Sequence, residues 1–180
     1  MTLTIDLVAH MEAGDRNSWP GDQNARPLGE LGRRQALAIA DAMAAEPVDA
    51  LYAGRALRCR QSIEPLAERL GLRVGVLVEL GEDVAWRVPR GWEAGAIHEA
   101  PFAAGVAMRG IEKLRTLHPE GRIVACSHGH VIPALVSYVA ALHGLDRVAP
   151  LERRGQWYRL RLAGGSIGAE RLDAGAGFPG

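Results

Sequence analysis

Residues 3–17, LTIDLVAHMEAGDRN, decide how the rest of the chain is read. The stretch opens as a strand. Ile5, Leu7 and Ala9 alternate with Asp6 and Val8, which is the period of two that places one set of side chains on each face of a sheet. The apolar pattern stops at His10, and Gly14 ends any regular element. A polar residue where a buried strand becomes a loop lies at the strand's carboxyl end. In open α/β sheets that edge is where ligands bind. His10 is therefore a candidate reactive residue, although a lone histidine at a strand end is equally a hydrogen-bonded loop residue. The rest of the chain has to decide between the two.

The totals narrow the classes. A chain of 180 residues fits one domain, expected over 1–173 with a flexible tail at 174–180. A domain of that size needs no metal or disulfide to fold. Lys plus Arg and Asp plus Glu are 21 each, so there is no electrostatic footprint for nucleic acid or an anionic membrane surface. Two cysteines, Cys59 and Cys126, stand in no metal-like spacing and fit a reduced, cytoplasmic chain. The N-terminus shows no basic segment followed by an apolar run, so no secretory signal is expected. No stretch approaches the roughly 18–20 apolar residues of a membrane span.

Outward from the first strand, helices and strands alternate. Ala36, Ile39, Ala40 and Met43 recur at helical spacing after Pro27 and Gly29. Residues 48–53 form a short strand candidate. Ile63, Leu66, Ala67 and Leu70 line a second helix, in which Pro65 predicts a kink or a late start and Gly71 the cap. Residues 74–78 read as a third strand. Residues 83–100 fit neither period and hold Trp86 and Trp92, so a long irregular loop, either functional or disordered, is expected there. A helix over 101–117, the strand GRIVAC at 121–126, a helix after SHGH, and a hairpin over 156–162 and 166–172 complete the reading. The fold class is α/β: a three-layer αβα arrangement around a largely parallel central sheet.

Two strands thus end in histidine, His10 and His128, and parallel strands of one sheet can bring such residues to one crevice. Between them ALRCRQS places Arg55, Arg58 and Arg60 at the start of a helix. Cations there oppose the helix dipole. Their presence makes sense if an anion also sits there, because helix N-termini and arginine forks both bind phosphate. They can equally face solvent. His128 and His130 alone are too few to argue for a metal, and none is expected.

Four blocks in order make the sequence resemble the histidine phosphatase superfamily, with its phosphoglycerate-mutase-like fold. LVAHMEAG stands where the family has a strand ending in Arg-His-Gly. PLGELGRRQA matches a Pro-Leu-x-x-x-Gly-x-x-Gln-Ala helix start. AGRALRCRQS matches a Ser-Ser-Pro-x-x-Arg-x-x-Gln-Thr block, and CSHGHVIPAL reproduces Ser-His-Gly. AGDRNSWPGD…RPL, RCRQSIEPLAERLGL and WYRLRL are similar to the small actinobacterial domains fused to Nudix hydrolases, although no Nudix domain is present here.

The resemblance implies roles. His10 takes the place of the nucleophile that becomes phosphohistidine, Arg58 that of the phosphate-binding arginine, and His128 that of the second pocket histidine. Glu82 takes the place of the acid that protonates the leaving oxygen, with Glu79 the alternative. The resemblance also places residues 83–100 at the pocket mouth, where Trp86 or Trp92 would help select the substrate. It implies a small phosphorylated molecule as partner, and neither metal nor cofactor. This sequence departs from the family at Ala9, where the first arginine should be, and at Met11, Ala53, Gly54, Arg55 and Ser62. Arg16 and Arg55 are the candidates to replace the lost charge. The expected function is a metal-independent phosphatase. Its rivals are a member that binds an anionic ligand without turnover, and an enzyme reusing the His/Glu pocket for non-phosphoryl acid–base chemistry.

Overall fold

The computed structural model describes residues 2–85, 96–146 and 148–180. One six-stranded sheet runs β3-β2-β4-β1-β5-β6. Its strands are β1 (Thr2–Ala9), β2 (Ala50–Ala53), β3 (Val74–Val76), β4 (Gly121–Ser127), β5 (Gln156–Ala163) and β6 (Ser166–Asp173). The first four pair in parallel. The predicted terminal hairpin is β5 and β6, added antiparallel on the free side of β1.

The period of two in β1 sorts the core into two layers. Leu3, Ile5 and Leu7 bury themselves against α4 (Ala96–Leu117) and α5 (Val131–His143), with Ile111, Leu114, Leu135 and Val139. Val8 faces the other way, toward Ile39 and Met43 of α1 (Glu30–Met43) and Ile63 and Leu66 of α2 (Leu57–Leu70). The apolar stripes that predicted these helices are the faces they bury. A short helix, α3 (Glu82–Ala85), follows a 3-10 turn at Val78–Leu80.

Two expectations about the helices need correction. Pro65 neither delays nor ends α2, which runs unbroken from Leu57 to Leu70 and stops at Gly71 with φ +66°. Apolar anchors on both sides of the proline, Ile63 and Leu66, outweigh the one lost backbone bond. Helix α4 begins at Ala96, not 101, so Pro101 lies within it. The C-terminal residues lie against the domain. Phe178 packs beside Gly155, and the Pro179 carbonyl accepts a bond from Gln35 Nε2 at 3.0 Å. Composition marked that segment as loop but could not show the partner waiting for Phe178. Among the described residues no helix is long and apolar enough to cross a membrane.

Candidate active site

The parallel pairing of β1 with β4 sets Ala9 opposite Ser127, so the next residues, His10 and His128, leave the sheet side by side. The His10 N–H extends the ladder by one bond, to the Ser127 carbonyl at 2.9 Å. The two rings meet edge to face with centroids 5.4 Å apart. His10 Nδ1 lies 2.7 Å from the Met11 carbonyl. A carbonyl only accepts, so Nδ1 carries the ring proton and the Nε2 lone pair is free.

The loop after His10 is held by the other sequence blocks. Met11 N–H donates to Ser62 Oγ at 2.8 Å, and Ser62 Oγ–H donates to the Arg58 carbonyl at 2.7 Å. Glu12 N–H donates to Gln35 Oε1 at 3.0 Å, while its carbonyl accepts from Gly29 N–H at 3.1 Å. Gly32 lies so near the Glu12 backbone that a Cβ there would collide with its carbonyl. The glycine and glutamine of PLGELGRRQA are thus the support on which the His10 loop rests.

Cations and one carboxylate fill the crevice. Arg58 is only 2% exposed. Its Nη2 lies 3.1 Å from Glu82 Oε2 and 3.3 Å from His128 Nδ1, and its Nη1 donates to the Gln23 carbonyl. Its buried Nε has no partner among the described residues. Arg16 reaches Glu82 Oε1 at 2.7 Å, and Glu82 Oε2 stands 3.6 Å from His128 Nδ1. Arg26 donates to the Ala13 and Gly14 carbonyls and so steadies the loop that carries Arg16. Arg154, at the start of β5, donates to the His10 carbonyl at 2.8 Å.

This environment tunes the ionisable groups. Burial is the largest influence on His10 and pushes it down to about 3. The Met11 carbonyl opposes the shift, while His128 and Arg58 add to it. Burial would raise the Glu82 carboxyl, but Arg16, His128 and Arg58 together hold it below its ordinary value.

Five of the candidate residues therefore come together: His10, Arg16, Arg58, Glu82 and His128. Arg55 does not join them. It is exposed and sits 3.9 Å from Asp83, because position 55 precedes α2 whereas Arg58, one turn on, faces inward. Glu79 is turned toward α4, where it pairs with Lys113. His130 is exposed. Trp86 and Trp92 lie outside the described residues. Arg26 and Arg154 were not singled out in the sequence. For Arg154 the missing signal is the placement of β5 beside β1, which periodicity does not contain.

Known proteins resemble this chain in sequence and in fold. Residues 11–99 match the histidine phosphatase superfamily (branch 1). The chain is 30% identical over 173 residues to the 8-oxo-(d)GTP phosphatase of Mycolicibacterium smegmatis, covering 96% of this chain and 48% of that protein. It thus spans about half the length of that curated relative. The fold is similar to mycobacterial glucosyl-3-phosphoglycerate phosphatase, with a TM-score of 0.68 at 19% identity over 96% of this chain and 98% of the other. It is also similar to phosphoglycerate mutase from Bacillus anthracis, with a TM-score of 0.67 at 12% identity over 96% and 94%. With its motif blocks gathered at one sheet edge, and its fold matched along nearly its whole length, the chain has the phosphoglycerate-mutase-like fold, and residues 11–99 of it match the histidine phosphatase superfamily.

Proposed function

We propose that the chain is a phosphatase that removes the phosphoryl group of a small phosphorylated molecule by way of phosphohistidine at His10. The observation that carries this reading is the state of His10. Its Nδ1 proton is spent on the Met11 carbonyl, its Nε2 lone pair is free, and burial keeps the ring neutral down to about pH 3. A neutral imidazole held in one tautomer is a competent nucleophile. Around it stand the donors that a transferring phosphoryl group needs on its oxygens: Arg58, Arg16 and His128.

In the unliganded site Glu82 occupies the arginines itself. A substrate phosphate brings more charge than one carboxylate and takes them over. Glu82, no longer held ionised by two guanidinium groups, then rises toward the range of a general acid. His10 Nε2 attacks phosphorus as the P–O bond to the leaving group breaks, and Glu82 gives its proton to that oxygen. Water, deprotonated by the same carboxylate, then breaks the N–P bond and releases phosphate. The name of the mycobacterial relative makes nucleotide phosphates the first substrates to assay, alongside sugar phosphates.

The test is turnover of phosphomonoesters and anhydrides by wild type, His10→Ala and Glu82→Gln, with trapping of 32P-labelled protein in alkaline denaturant. His10→Ala should lose turnover and label together, and Glu82→Gln should slow turnover while keeping some label. Robust wild-type turnover with no label at His10 would end the mechanism. Phosphate binding without turnover would favour the ligand-binding rival, for which the absence of an arginine at Ala9 speaks.

A further inference from the structure

His128 has two faces, and the phosphatase reading uses one. Nδ1 looks into the crevice, toward Arg58 Nη2 and Glu82 Oε2. Nε2 looks back into the core, where its neighbour is the Cys59 sulfur at 3.5 Å. The same sulfur is 3.5 Å from the Ser127 carbonyl. His128 is 1% exposed and Cys59 0%, so water is not available to replace either contact. Each group has one consistent role. Arginine can only donate, so in the unliganded site Arg58 donates to Nδ1, and the ring proton sits on Nε2. Nε2–H then donates to sulfur, and S–H donates to the Ser127 carbonyl.

We propose that Cys59 is a positioning residue for His128, its sulfur holding the Nε2–H so that the ring can take up a proton at Nδ1 and present it to a bound oxyanion. This rests on reading the cluster as a phosphate site. When an oxyanion takes Arg58 and displaces Glu82, Nδ1 must change from acceptor to donor. One proton from solvent, or from a phosphate monoanion, adds to the Nδ1 lone pair. The N–H on Nε2 stays on its sulfur partner and no other bond changes. A residue without a lone pair at position 59 would leave a buried, positively charged ring with an orphaned N–H. The sulfur is polarisable and lies in plain contact with the ring, which suits a partner for a cation. The charged or titratable groups facing this pair are Arg58, His10 and Glu82 on the crevice side and Cys126 on the core side.

The experiment is ring-nitrogen NMR on the full chain labelled with 15N-histidine, titrated with and without inorganic phosphate. The proteins are wild type, Cys59→Ala, Cys59→Ser and Cys59→Val, with His128→Asn to assign the signals. In wild type, phosphate should raise the His128 titration and place a proton on Nδ1. In Cys59→Ala and Cys59→Val the ring should titrate about one unit lower. That corresponds to about tenfold weaker phosphate binding at pH 7.5 and little change at pH 5.5. Cys59→Ser, which keeps a lone pair, should recover most of the difference. Wild-type titration and affinity in both apolar variants would reduce Cys59 to packing and overturn the inference, as would an unprotonated Nδ1 in the phosphate complex. Should one apolar variant fail to fold, the other carries the comparison with Cys59→Ser. If wild type takes up no phosphate, the phosphate-site reading fails. The unliganded His128 titration then decides alone: a unit's difference between wild type and the apolar variants sustains the role of Cys59, and none ends it.

Discussion

The sheet carries two clusters of arginine and carboxylate, and they are built on opposite plans. Midway along β1, Asp6 is fully buried and accepts from Arg122 of β4 and Arg159 of β5. Every arm of these arginines is occupied. Arg122 Nη1 donates to the Met43 and Glu46 carbonyls, and Arg159 Nη1 donates to the Glu46 carboxylate at 3.0 Å. Two cations meet two carboxylates, and the network closes. At the carboxyl end of the same strands, Glu82 is the one carboxylate among the described residues that pairs with Arg16 and Arg58, with two histidines beside them. There Arg58 keeps a buried Nε with no partner among the described residues. A closed network orders the fold. An open one keeps donors that the fold itself does not fully use.

The largest expected effect would break this contrast if it failed. Asp6→Asn leaves two buried guanidinium groups without their shared counter-charge and should cost about 3–5 kcal/mol in urea unfolding. Glu82→Gln leaves buried Arg58 an amide oxygen to donate to, and its other partner Arg16 is largely exposed, so it should cost less than Asp6→Asn, about 1–2 kcal/mol, while impairing turnover. Equal destabilisation by both variants would mean that the two clusters are alike and that the crevice is structural.

A smaller effect sharpens the contrast through pH. His10 stays neutral in the fold down to about 3, whereas the unfolded chain protonates it below its ordinary 6.5. The depressed value means that the stability tied to neutral His10 is present above pH 6.5 and is lost as pH falls from 6.5 toward 3. Between pH 7 and 4.5 wild type should therefore lose about 2–3 kcal/mol more than His10→Asn, read from urea midpoints at each pH. Parallel curves for the two proteins would show that the His10 ring is accessible to protons.

The smallest effect concerns how the open cluster replaces a missing charge. Position 9 is alanine, and Arg16 reaches the same carboxylate as Arg58. If Arg16 supplies the second clamp, Arg16→Ala should lower turnover about 10–100-fold, as expected for a hydrogen bond to a charged group. Ala9→Arg should raise it by no more than about twofold, because a charge is already present. A severalfold gain from Ala9→Arg, with Arg16→Ala silent, would show that the clamp is incomplete in the natural chain.

The local elements were legible because each is written in a local period. Alternation in LTIDLVA fixed β1, and the stripes ending in Met43 and Leu70 fixed two helices. The stops at His10 and His128 marked where those strands end, and with the ordered blocks they were enough to name the fold. Asp6, a polar residue in an alternating strand, gave no sign of its burial, because its arginine partners stand 116 and 153 residues away. For the same reason local pattern alone did not separate Arg55 from Arg58, although one turn of helix points the first at solvent and the second at His128. Glu82 and Glu79 lie three residues apart in sequence, yet Arg16 reaches the first and Lys113 the second. Sequence determined which residue types could do the chemistry and which strands would deliver them to one edge. Tertiary structure decided which of them meet, because charge pairing, burial and the protonation of a ring depend on neighbours brought together across the whole chain.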